Sequence, residues 1–68
     1  MDYYHAINML LTEYAPFEKV YSMLEVDSAL RDALEIVLPD MSFEKLKNLT
    51  VGEVVGLAKA RHARLKSA

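Results

Sequence analysis

No cysteine occurs in this chain, so a disulfide framework and a thiolate metal site are both excluded, and the redox compartment stays open. Tryptophan is absent too, and the two histidines, His5 and His62, have no ligand spacing around them. There is no glycine-rich phosphate loop, nucleophile elbow or histidine–acid motif. The acids are scattered at solubilising positions such as Glu13, Glu18 and Asp32, and so small a chain has little room for the cleft that paired-carboxylate catalysis needs. A non-enzyme is expected, with no catalytic residue, no cofactor and no metal. No apolar run approaches the ~20 residues of a bilayer span. Asp2 and the lack of an early basic cluster argue against a signal peptide. The expected location is cytoplasmic, away from membranes.

What is present is apolar. Sixty-eight residues make one domain, 1–68, and 53% of them are hydrophobic. A single core of this size rarely supplies more than about 3–5 kcal/mol without disulfides, metal or oligomerisation. The surplus of apolar side chains therefore implies a homodimer or a standing protein partner that covers it.

The pattern is helical throughout, with no strand-like alternation and no hairpin signal. Asp2 caps a first helix to about Tyr14, with Tyr3, Ile7, Leu10 and Tyr14 at helical spacing, widened by Tyr4 and Leu11. Pro16 suits the first turn of a second helix, with Phe17, Val20, Tyr21 and Leu24 as its stripe. Continued in phase, that stripe would bury Asp27, Ser28 and Arg31. It restarts instead at Ala29, Leu30, Ala33, Leu34 and Val37, which places a break at Val26–Ser28 with Asp27 or Ser28 as cap; one long helix with a drifting stripe is the alternative. Pro39 ends that third helix at Leu38. Asp40 or Ser42 then caps a short turn from Phe43 to Lys47. Thr50 and Glu53 form a capping box for a last helix, Val51 to about Lys66. Short connectors favour an all-α, antiparallel bundle of about four helices.

On the last helix Val51, Val54, Val55, Ala58, His62 and Leu65 share one face and read as core, with His62 packed there through one satisfied nitrogen. A second face carries Gly52, Gly56, Ala60 and Ala63. Each helix-interior glycine costs roughly 1 kcal/mol relative to alanine, so the ridge reads either as a place where another backbone approaches or as tolerated surface glycines. Charge is segregated: residues 1–44 hold nine of the ten acids, and residues 45–68 hold six of the eight bases. Either the basic helix lies against the acidic ones, or Lys59, Arg61, Arg64 and Lys66 hold phosphates. These four flank both sides of the apolar stripe, which favours the first reading.

Two family resemblances and one further layout of the helices bear on function. Leu46–Val55, running into Ala58-Lys59-Ala60-Arg61, resembles the core of short tail-assembly proteins of tailed phages, which implies a helical accessory that binds other assembly proteins. The departures are Leu57, where that family tends to carry Trp, and Val in place of Leu. Asp27-Ser28 resembles the phosphopantetheine attachment site of acyl and peptidyl carrier proteins, which implies modification of Ser28, and Leu49–Val54 resembles the start of their last helix. Here Val26 replaces their glycine, Leu30 comes one place late and the third helix is short. Phe43–Lys47, a turn at Asn48–Thr50 and the last helix can also be laid out as a helix-turn-helix for nucleic acid, although its leading residues are Val51, Gly52 and Glu53 and its bases sit at the far end. The reading preferred is a protein-interaction module (adaptor, assembly factor or inhibitor) that binds another protein or itself. Its expected interface is Tyr3, Tyr14, Phe17 and Tyr21 as aromatic anchors, with Gly52, Gly56 and Ala60 as a close-packing ridge.

Overall fold

The computed structural model describes residues 2–22 and 27–67. Among them are four α-helices: α1 (Tyr3–Glu13), α2 (Ser28–Val37), the single-turn α3 (Phe43–Leu46) and α4 (Val51–Ser67). The chain is all-α, and the one β-type pairing among the described residues is a lone antiparallel bridge between Lys19 and Thr50.

Helix ends follow capping chemistry. The Asp2 carboxylate accepts from the His5 amide at 2.8 Å, and Asp27 accepts from the Leu30 amide at 3.1 Å. These bonds satisfy donors that have no partner inside the helix. Ser28 is thus the first residue of α2 rather than its cap. Leu38 closes α2 through its amide on the Leu34 carbonyl at 2.9 Å, and Pro39 follows. Ser42 holds the cap position of α3, where its carbonyl accepts from Leu46 at 3.0 Å. At α4 the capping box closes in both directions. The Glu53 amide donates to the Thr50 hydroxyl at 3.2 Å, and the Thr50 amide donates to the Glu53 carboxylate at 3.0 Å.

The core is made by α1, α2 and the first half of α4, with Val20 and Leu46 closing it. Ala6, Ile7 and Leu10 face Leu30, Ala33, Leu34 and Val37 across the α1–α2 contact, and Val51, Val54, Val55 and Ala58 complete the cluster. Burying each such Val, Leu or Ile stabilises the fold by about 1.5–3 kcal/mol.

Two expectations are corrected. No helix starts at Pro16. Residues 16–18 make a turn, and only a 3₁₀ turn, Val20–Ser22, follows; Leu24 and Val26 lie outside the described residues. The reason is tertiary. The amides of Val20 and Tyr21 donate to the carbonyls of Leu49 and Lys47 at 2.9 and 3.1 Å, so they cannot also bond back along their own helix. In return, the carbonyls of Glu18 and Pro16 accept from Val51 and Gly52, each at 2.9 Å, which satisfies two first-turn donors of α4. The second correction is Leu65, which is 59% exposed rather than core, because the buried stripe of α4 ends at Ala58.

Candidate functional site

The segment that caps α4 also sets which aromatics face outward. With Val20 drawn fully into the core, Phe17 is left 79% exposed and Tyr21 58% exposed. Tyr3 and Tyr14, expected beside them as anchors, are half-buried and engaged within the chain. Tyr3 stacks on the His62 ring at 3.9 Å between centroids, 7° from parallel. Tyr14 donates its hydroxyl to Asp27, joining the end of α1 to the start of α2. Burial, then the bond to Asp27 and that residue's negative charge, push the Tyr14 phenol well above its ordinary range. The same hydroxyl, together with the Leu30 amide, holds the Asp27 carboxyl below its ordinary value.

Around His62, the last turns of α4 meet the first turn of α1. His62 Nε2 lies 3.4 Å from the Tyr4 hydroxyl, and Lys66 Nζ donates to that hydroxyl at 3.2 Å. Tyr4, absent from the expected interface, is nonetheless 62% exposed.

The small-residue ridge divides. A Cβ added at Gly52 would stand 3.1 Å from the Pro16 carbonyl oxygen and 3.3 Å from Pro16 Cβ, so the backbone approaching there is this chain's own. At Gly56 an added Cβ meets nothing within 4 Å. Gly56 and Ala60 are both exposed.

A cleft of about 360 Å³ opens between the turn after α2 and the outer side of α4. Leu38, Met41 and Leu57 supply its apolar lining, and Lys45, Arg61 and Arg64 its cations. Asp40 also lines it, accepting from Arg61 Nε at 3.2 Å and Nη2 at 3.1 Å on a single oxygen. Beyond Arg61 and Arg64 a hollow of about 250 Å³ reaches Leu65. Sequence reading missed this site because it treated the four basic residues of α4 as one set. The signal was available: Leu57 lies off the core stripe, and Arg61, Arg64 and Leu65 follow at i+4, i+7 and i+8, on the same side of the helix. Lys66 turns the other way, to Tyr4.

Ser28, singled out by the carrier resemblance, is exposed at the start of α2. The leading turn of α4, which a helix-turn-helix would present to bases, has its Val51 and Gly52 amides bonded to the 16–18 turn. Among the described residues no helix is long and apolar enough to cross a membrane. Comparison with protein-family models, curated proteins and solved structures finds no match to this chain.

Proposed function

We propose that this chain is a small helical protein-interaction module, an adaptor, assembly factor or inhibitor, that acts by contact with another protein or with a second copy of itself as a homodimer. The observation that carries the reading is the apolar surface left over once the core is closed. Phe17, Tyr4, Leu65, Tyr21 and Leu11 are each more than half exposed, on a chain of only 68 residues. Large rigid aromatics such as Phe17 and Tyr21 are the side chains that anchor interfaces, because they bury much area at little entropic cost. Leaving them in water gives the monomer nothing.

The test places a photo-crosslinking phenylalanine analogue at Phe17 and, separately, at the exposed Asp32, in cells that make the chain. A discrete adduct from position 17 and none from position 32 is the expected result. Its mass separates a dimer from a complex with a different protein. Equal, diffuse labelling from both positions, or none from either, overturns the reading.

A further inference from the structure

We infer that the cleft between the 38–42 turn and α4 receives an apolar, carboxylate-bearing segment of a partner protein. The inference rests on the interaction-module reading and adds the surface used and the chemistry selected. Its floor is apolar and adaptable: Leu38 is buried, Met41 is half-buried and Leu57 is 42% exposed. Methionine, unbranched and polarizable, suits a surface that must fit an incoming side chain. The rim is cationic from two separate elements, Lys45 on α3 and Arg61 and Arg64 on α4.

Among the described residues that line the cleft, three are basic (Lys45, Arg61 and Arg64) and one, Asp40, is acidic, with its side chain 83% exposed. The Asp40–Arg61 pair shows what this rim accepts, since a carboxylate oxygen already rests 3.1 Å from the guanidinium. Asp40 holds most of its carboxylate in water, whereas the Arg61 side chain is only 25% exposed; a guanidinium carries five N–H donors, so a second carboxylate can share Arg61. From Leu57 to Leu65 the apolar and cationic side chains recur along about 12 Å of helix at 1.5 Å rise per residue. That length suits a short segment with apolar anchors and flanking acids.

Phosphate backbones fit less well. They have no use for the Leu38–Met41–Leu57 floor, they meet Asp40, and Lys66 is directed away to Tyr4. Charge complementarity with an apolar floor points to an acidic protein segment.

The experiment selects peptides from a random linear library on the immobilised full chain, with counter-selection on Lys45→Glu/Arg64→Glu. Both substituted positions are exposed, and circular dichroism checks that the variant keeps its helix content. If it does not, Leu57→Ser, which removes the floor instead of the rim, takes its place. Enriched peptides are expected to pair apolar residues with Glu or Asp. They should lose about tenfold or more in affinity on the variant and weaken with salt. They should also shift the NMR signals of Met41, Leu57 and Arg61. Peptides without acidic bias, or equally well bound by the variant, overturn the cleft assignment while leaving the interaction module standing. A dimer that dissociates in Lys45→Glu/Arg64→Glu assigns the cleft to a second copy and also overturns it. No enrichment at all overturns it too, and crosslinking at position 17 then decides the broader reading on its own.

Discussion

From Val51 to Ala58, α4 sends four side chains into the core and ties its leading amides to the Thr50–Glu53 box and to the carbonyls of Glu18 and Pro16. Among its described side chains from Lys59 onward, none is fully buried. That second half stays helical because Ala, Arg, Lys and Leu are strong helix formers and because Arg64 and Lys66 complement the negative end of the helix dipole. Its contacts are lateral and partly wet: Arg61 on Asp40, His62 on Tyr3 and Lys66 on Tyr4. One helix is thus a buried structural element for two turns and a presented surface for the rest. Burial fixes the first half, and the side of the helix that carries Leu57, Arg61 and Arg64 is left to line the cleft.

The sharpest way to break this contrast is to place one charge in each half. Val54→Asp puts an unpaired carboxylate at a fully buried position, which costs more than the about 3–5 kcal/mol a core of this size supplies. The expected circular dichroism spectrum is that of an unfolded chain. Leu65→Asp, at an exposed position, should change stability by no more than about 0.5 kcal/mol. Equal damage from the two would end the comparison.

The glycines give the next largest effect, with opposite signs. Gly52→Ala forces its Cβ to within 3.1 Å of the Pro16 oxygen that accepts the Gly52 amide. Retreat of Pro16 breaks that cap, so a loss of about 1 kcal/mol is expected even after the propensity gain. Gly56→Ala meets open space and should gain about 0.5–1 kcal/mol. Urea midpoints of the two variants decide it.

Acid should act on the capped ends. Asp27 is held below its ordinary 3.8 chiefly by the Tyr14 hydroxyl, and Glu53 below its ordinary 4.5 by the Thr50 amide and then the Thr50 hydroxyl. A depressed carboxyl contributes stability that is present above those ordinary values and is lost as pH falls through the folded ones. Tyr14, raised above its ordinary 10.0, contributes stability that is lost as pH climbs above that value. Tyr14→Phe should therefore flatten both limbs of a stability-against-pH curve measured by urea unfolding. A curve unchanged by it would show that the Tyr14–Asp27 bond carries no linkage.

The smallest effect belongs to the outer half of α4. Tyr4→Phe keeps the ring but removes the hydroxyl between Lys66 and His62, at an exposed site. The expected cost is no more than about 0.5 kcal/mol. Faster amide exchange is expected in residues 60–66 and not in residues 51–58. Faster exchange in both would mean that the halves open as one unit.

Much of the fold was legible because it is written locally. Asp2, the Thr50–Glu53 pair and Pro39 act on neighbours within a turn, and the stripes of α1, α2 and the first half of α4 repeat at the helical period. Less of the site could be read. Tyr3, Tyr14, Phe17 and Tyr21 all look alike as apolar side chains at helical spacing. Two of them are engaged by His62 and Asp27 and two are left outside, and these partners are remote in sequence. The cleft joins the turn after α2 to α4, so no local window contains it.

By itself, then, the sequence determined the all-helical class, the caps at Asp2 and at Thr50–Glu53, the stop at Pro39, and the surplus of apolar side chains, since propensity, capping and hydrophobic period act over a few residues. Tertiary structure alone decided that residues 16–22 give up a helix to cap α4. It also decided that Gly52 is needed where Gly56 is not, and that Leu57, Arg61 and Arg64 share a cleft with Leu38 and Met41. Each of these depends on which donors and acceptors meet when distant segments pack. A backbone amide already bonded across the fold cannot also serve the helix its own sequence favours.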